Sequence, residues 1–406
     1  MTVEIIDNFM SYQSINDMEP VYALNDPGAT TGSNLVLKPG NGPTFVSGQP
    51  QSPRTAPPTL SFLGNSNSGG GNATEVRLAL PATVEKIIAF TFRPVAGEGN
   101  TSSQADSNDQ IFATYDDTNF QVAMNMLVQH SDDLFDAPEP TGGVYLYLRR
   151  SVSTVLWDSF NDRDSTSEVP GMENGFMLYG SWYYIELRIL ADASNGEVEL
   201  RINGVQVFDG TGIQTTIGQP NIGFVEFRSG EASGSNSYGS GLEFDIADVI
   251  SIDTAAGFVA FPFPAIIDRL EPDADTIEAD FAPNGAGDNF VEVDDAPHDF
   301  DTTFNESTTV GHKDRFTTAG VLPFANLGNV LAVKVEALVK DTLDLTTRQV
   351  RAVVFENATE AQGATRTLTE TPYQPVQAVF DDNPDTSLPW TKAEVAAAEF
   401  GYEIIT

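Results

Sequence analysis

Three carboxylates at close spacing, Glu243, Asp245 and Asp248, are the first residues of this chain with the means to do chemistry. A pair of carboxyl groups flanking a glycosidic bond can divide the work of general acid and nucleophile, which is what cleavage of a sugar linkage requires. Glu243 and Asp245 share one face of a strand, whereas Asp248 has the opposite parity and joins them only if a bulge intervenes. Histidine chemistry has little material: His130, His298 and His312 are the only three, none stands near a Gly-x-Ser-x-Gly elbow, and a surface role is expected for each. Zero Cys removes thiolate nucleophiles, disulfides and thiolate metal sites. Asp294, Asp295, Asp299 and Asp301, grouped around His298, are the candidate cation ligands, with calcium the ion they would take; EF-hand spacing is absent and a solvated acidic loop is the preferred reading. Ser68 to Gly71 is a plain glycine loop and cradles no phosphate. Trp157, Trp182, Tyr183, Tyr184 and Tyr238 could stack on sugar rings. Alternation sends Tyr183 into a core and Trp182 and Tyr184 to the other face, and packing between sheets or subunits is the preferred use. No catalytic and no cofactor-binding residue is assigned, and the chain is expected not to be an enzyme.

The elements that must position these residues are strands. Gly180-Ser-Trp-Tyr-Tyr-Ile-Glu-Leu-Arg-Ile-Leu190 and Gly196-Glu-Val-Glu-Leu-Arg-Ile-Asn-Gly-Val-Gln-Val-Phe208 carry apolar residues at every second position, the period of a sheet with one buried side. Asn203-Gly204 supplies the two left-handed residues of a type I′ turn, which predicts that Ile202 pairs with Val205 and Leu200 with Val207. Further strands are expected at residues 3–12, 75–80, 84–93, 110–113, 120–127, 143–149, 154–157, 222–228 and 242–252. The Pro-, Gly- and Ser-rich stretch from Asn25 to Asn72, with the short apolar run Leu35-Val-Leu37, reads as extended loops that contact a partner. Residues 1–256 therefore form an all-β sandwich, 257–266 (around Phe258-Val-Ala-Phe-Pro-Phe-Pro264) a stiff connector, and 267–406 a smaller β domain with strands over 331–338 and 349–355. One helix is expected, from Lys392 to Phe400, with the capping box Thr391-Lys-Ala-Glu394, a staple of Trp390 on Val395, and Gly401 as its C′ residue.

Charge narrows the function classes. With 58 acidic and 20 basic residues among 406, the chain carries −38. Such a surface repels phosphate backbones and anionic lipid, so neither nucleic-acid binding nor membrane insertion is expected. The N-terminus has no basic region and no apolar run of signal-peptide length, so synthesis as a soluble cytoplasmic chain without a signal peptide is expected.

Two resemblances add to this reading. The Trp182 to Arg188 strand, the Gly196 to Gly204 hairpin and the Gly210-Thr-Gly212 turn resemble the concanavalin-like (laminin-G-type) jelly roll, as does the opening Asp7-Asn-Phe-Met-Ser-Tyr12. That fold serves lectins, glycosidases and structural modules alike. Glu243 to Asp248 approximates the E-x-D-x-x-E signature of jelly-roll glycosidases, but ends in Asp and lies on the closing strand, where laminin-G-like domains carry a "D-D-I/V" strand, here Ile246-Ala-Asp248-Val.

The C-terminal third resembles virion structural proteins of tailed bacteriophages, of the fibre, appendage and decoration type. The residues concerned are Asp268-Arg-Leu-Glu-Pro-Asp-Ala-Asp275, Val293 to Thr303, and above all the terminal Phe380-Asp-Asp-Asn-Pro-Asp-Thr-Ser-Leu-Pro-Trp-Thr-Lys-Ala-Glu-Val-Ala-Ala-Ala-Glu-Phe-Gly401. The resemblance implies a virion protein that associates with other virion structural proteins and with copies of itself, with a host-surface glycan as a further partner. A lectin or a jelly-roll glycoside hydrolase acting on surface polysaccharide is the alternative.

Overall fold

The computed structural model describes residues 2–7, 22–25, 35–38, 59–62, 74–95, 108–116, 120–127, 143–151, 154–159, 161–173, 175–229, 243–254, 260–263, 265, 267–294, 301–318, 330–342, 348–368 and 373–406. The described residues up to Ala265 belong to one compact unit and those from Ile267 onward to a second. Both are built of antiparallel strands, and the protein is all-β, an N-terminal jelly-roll sandwich followed by a smaller β domain.

In the N-terminal unit the first sheet runs in the order Val205–Ile213, Gly196–Ile202, Tyr183–Leu190, Glu85–Val95, Glu243–Asp253, Thr59–Phe62, Leu35–Lys38. The second runs Met172–Glu173, Phe176–Leu178, Gly143–Ser151, Phe120–Leu127, Asn108–Tyr115, Ile222–Ser229, Thr74–Thr83, Tyr22–Asn25, with Thr154–Asp158 also paired to Gly143–Ser151. Alternating apolar residues of the two sheets meet in the core, where Phe90 of the first lies 5.4 Å from Phe112 and 5.1 Å from Phe227 of the second.

One edge of the closing strand Glu243–Asp253 pairs with Glu85–Val95 along most of its length, while the other edge is shared. Phe244 to Ile246 pair with Leu60 to Phe62, and Val249 to Asp253 pair with the N-terminal strand Thr2–Asp7. A bulge with Asp248 at φ 51° stands at the junction.

Four expectations need correction. The stretch between Asn25 and Asn72 is not loop throughout: Leu35–Lys38 and Thr59–Phe62 are strands, the second fully buried, with Phe62 stacked on Phe244 at 4.5 Å. Four residues bounded by proline-rich text carry too little periodicity to betray a strand. In the hairpin, Asn203 (φ 51°) and Gly204 (φ 79°) form the expected turn and Ile202 faces Val205. A bulge then shifts the register, so Leu200 faces Phe208 and not Val207. Tyr184 lies on the face opposite Tyr183, as alternation predicts, and is as buried as Tyr183, because Phe263 of the connector covers it, ring centroids 5.4 Å apart. The third correction is the terminal helix, which spans only Lys392–Ala397, and the fourth, Gly401, follows from it below. Ala398 turns extended and Glu399–Ile404 enters a sheet.

The C-terminal unit is a six-stranded sheet in the order Pro272–Ala279, Lys313–Thr318, Glu399–Ile404, Arg348–Glu356, Thr359–Gln362, with Arg366–Leu368 also on Arg348–Glu356, and two separate pairs, Val333–Val339 with Gln374–Phe380 and Ala282–Pro283 with Asn305–Glu306. The terminal segment from Phe380 to Gly401 builds much of its core and turns. The Asn383 side chain accepts from the Asp385 and Thr386 backbone N–H groups at 2.8 and 3.4 Å, and the buried Trp390 indole donates to the Phe380 carbonyl at 3.0 Å. Thr391 and Glu394 form the reciprocal capping box, and Val395 lies in the same core as Trp390.

Gly401 is a strand residue and not a helix cap. A Cβ there would stand 1.8 Å from the Asp314 carbonyl oxygen, so only glycine lets Glu399–Ile404 approach Lys313–Thr318. Gly401→Ala should therefore lower stability by about 1–3 kcal/mol, the ordinary cost of overpacking, read as a lower denaturant midpoint of the full chain.

Candidate functional site

The outward face of the second sheet gathers the charged and aromatic side chains that sequence reasoning did not single out. Along Ile222–Ser229, Phe227 packs inward against Phe90, which turns Phe224, Glu226 and Arg228 outward. Register does the rest. Glu226 lies opposite Arg77 on one side and Ala113 on the other; Ala113 faces Ala123, and Ala123 faces Arg149. One transverse row across five strands thus reads Arg77, Glu226, Ala113, Ala123, Arg149, with small residues between an ion pair and a further guanidinium. In the next row Phe224 faces Tyr115, their rings stacked at 4.6 Å. On the other side Tyr147 faces Asn125 and Asp158.

Glu226 is the hub. It is fully buried, and its carboxylate accepts from Arg77 Nε at 2.8 Å and from Gln110 Nε2 and Tyr115 Oη at 3.3 Å each, with Arg228 at 3.8 Å. Burial raises its pKa above the ordinary carboxylate range, Glu75 adds to this, and Arg77 opposes it. Burial, and then the Glu226 charge, push the Tyr115 phenol up as well. Burial raises Tyr147, with Asp158 adding, and lowers Arg149. Arg77 keeps 44% of its side chain exposed and lies 5.3 Å from the centre of the Phe224 ring. Guanidinium forks and phenols beside flat aromatic surface are the donor set that holds the hydroxyl and carboxylate groups of a sugar.

The residues singled out from sequence fall elsewhere. Asp245 is buried on the first sheet, where Ser61 and the Arg93 guanidinium donate to it, Nε at 2.8 Å. The bulge that the parity argument required is present at Asp248, which is also buried, and its charge acts on Tyr184. Trp182 lies under the Arg93 guanidinium at 4.8 Å, and the Trp157 indole donates to Asp162 at 2.9 Å. Asp301 is engaged by Lys340 and by Tyr373 at 3.0 Å, and these donors hold it below the ordinary range. Asp294 is described; Asp295 and Asp299 lie outside the described residues, as do His130, His298 and Tyr238. Among the described residues no three His, Cys, Asp or Glu side chains are grouped to hold a metal ion. His312 Nδ1 is 2.8 Å from Ser307 Oγ in a turn.

The missed residues did leave a trace. Val76-Arg-Leu78 and Val225-Glu-Phe-Arg228 alternate apolar with charged residues, which marks Arg77, Glu226 and Arg228 as outward-facing. What alternation withholds is which outward residues become neighbours.

No family model matches this sequence, and no curated protein matches it. The solved structures similar to it include an alginate lyase in complex with an alginate tetrasaccharide, 14% identical with a TM-score of 0.37, the match covering 61% of this chain and 96% of that one. A β-glucanase catalytic domain from Podospora anserina is 11% identical over 62% of this chain and 96% of that one, TM-score 0.33. An alginate lyase from a Chlorella virus is 11% identical over 57% and 98%, TM-score 0.30.

Arg77→Ala removes the cation that opposes burial of Glu226, so the Glu226 carboxyl should titrate at still higher pH than in the parent protein. Side-chain carboxyl NMR across pH 4–9 reads this directly, and an unchanged titration would mean that the ion pair does not act on Glu226.

Proposed function

We propose that this chain is a non-enzymatic glycan-binding structural protein, of the kind built into a tailed-phage virion. Its N-terminal sandwich engages a surface polysaccharide through the outward face of the second sheet, and its C-terminal unit serves assembly with other virion proteins. The observation that carries the binding half is the row Arg77, Glu226, Ala113, Ala123, Arg149 beside the Tyr115–Phe224 stack. For the assembly half, support comes from the terminal segment: Asn383, Trp390, Thr391, Glu394 and Gly401 each fix a turn, a core position, a cap or a close strand approach. A motif whose residues are used up in shaping the domain suits a structural module. The non-enzymatic part is supported by Asp245, whose carboxylate is taken up by Arg93 and Ser61.

The test is titration calorimetry of the full chain against neutral and uronate-containing bacterial polysaccharides, with reducing-sugar and unsaturated-product assays in parallel. Binding without product release is expected, and Arg77→Ala or Tyr115→Ala should weaken it about tenfold or more, the worth of one charge-assisted hydrogen bond or one stacking plane. Product release would establish the alternative, a polysaccharide-degrading enzyme; absence of binding to every polysaccharide would remove the glycan from the proposal.

Assembly makes its own prediction. A charge of −38 opposes self-association most strongly at low ionic strength. Light scattering should therefore show the mass per particle rising with salt, and a mass independent of salt at every concentration would count against homo-oligomer formation.

A further inference from the structure

Glu186 lies in the middle of Tyr183–Leu190, opposite Ala89 on one neighbouring strand and Arg201 on the other, on the face of the first sheet turned away from the sandwich core. Alternation would leave its carboxylate in water, yet it is fully buried. The cover is the connector. The Phe263 N–H donates to Glu186 Oε1 at 2.8 Å, the Phe263 ring packs on Tyr184, and the Arg201 guanidinium lies 4.3 Å from the centre of the Phe261 ring. The seat for this strap is built into the hairpin as well: a Cβ on Gly204 would stand 2.4 Å from the Phe263 ring. Glu186 Oε2 is buried and makes no hydrogen bond. A carboxyl group with one oxygen satisfied by a single N–H and the other dry is tolerable when neutral and costly when charged.

We propose that Glu186 is a proton-operated latch, which when neutral holds the strap Ala260–Phe263 against the first sheet and when ionised lets it go. The groups that face it set the direction. Burial pushes its carboxyl up to about 8, against the Phe263 N–H and the Arg201 charge, with Glu199 adding to the rise. Arg201 is itself shared with Glu199 at 2.9 Å. On its own strand stand Tyr184 and Arg188, the latter committed to Glu85 and Glu197; Asp248 acts on Tyr184; and the described strap residues Ala260, Phe261, Pro262, Phe263 and Ala265 carry no charge.

Opening returns Glu186 to water, where its carboxyl titrates near the ordinary 4.5. Between that value and about 8 the closed form holds a proton that the open form has released, so each pH unit multiplies the open-to-closed ratio tenfold, and above about 8 the ratio levels off. The latch is closed in acid and released towards alkaline pH, which frees the segment that joins the two units in sequence.

The experiment is hydrogen exchange of the Phe263 amide in the full chain from pH 5 to 9, corrected for the intrinsic pH dependence of exchange. Pro262 and Pro264 have no amide, so this signal stands alone between Phe261 and Ala265. The expected result is a protection factor that falls about tenfold per pH unit and flattens near pH 8, while Glu186→Gln, a neutral side chain that still accepts the same N–H, keeps its protection flat across the range. Protection in the parent protein that does not depend on pH, or the same slope in Glu186→Gln, overturns the latch. Phe263→Ala covers the case in which Glu186→Gln does not fold. It removes the ring contacts but not the N–H at position 263, so protection should drop at every pH with the slope kept, and a flat profile there overturns the latch equally.

Discussion

Carboxylates outnumber cations in this chain by 58 to 20, and several of them are buried, so each buried acid must find something other than water to answer its charge. The structure uses three answers. Glu226, Asp245 and Glu4 each take one of the scarce cations, Arg77, Arg93 and Lys86. Asp314, at the heart of the C-terminal unit, takes none: the Phe281 N–H, the Asn289 and Asn305 amides and the Tyr402 hydroxyl converge on it at 2.9 to 3.4 Å, and burial keeps its pKa raised. Glu186 has one N–H and a dry oxygen.

The alternating pattern made most of the strands legible. Phe120–Leu127 falls where the periodicity puts it, the strands at 74–83 and 222–229 extend the expected ranges, and those at 85–95 and 243–253 start one residue later than expected and also end later. Such patterns report burial on one face, so they identify long, half-buried strands and the type I′ turn at Asn203-Gly204. They fail where a second body covers the other face, as the connector does over Tyr184 and Glu186, because nothing local to Tyr183–Leu190 announces what will lie on it. They fail again at the terminal helix. Thr391 and Glu394 cap it as their spacing demands, but its length is decided by sheet pairing of Glu399–Ile404 with two strands remote in sequence, which outweighs one more helical turn.

The candidate site was legible by residue type and not by place. Spacing along one strand drew attention to Glu243, Asp245 and Asp248, whereas the face proposed to bind glycan is assembled from single residues of five strands whose only relation is cross-strand register. Tyr115 reaches the Glu226 carboxylate by regular alternation, two residues from Ala113 and with no register shift against Ile222–Ser229, whereas Gln110 lies beyond a bulge, the shift at Gln110 to Phe112 against Phe120–Leu127. A bulge is an extra residue without a composition of its own, so a chain met as text gives little notice of it.

The shared edge of Glu243–Asp253 bears on how the molecule comes into being. Thr2–Asp7 and Thr59–Phe62 lie end to end along that edge, so among the described residues Thr2–Asp7 has its ladder partner in a strand synthesised long after it; Ser251 and Glu4, joined at 2.9 Å, are 247 positions apart in the chain. Until Val249 to Asp253 emerge, the N-terminal strand has no backbone partner among the described residues, and the exposed edge of Glu85–Val95 waits with it. Closing so long a loop is entropically slow to begin. Thr2–Asp7 and Thr59–Phe62 are thus seated only after the closing strand has itself been made, and until then their unpaired edges are open to pairing with a neighbour's.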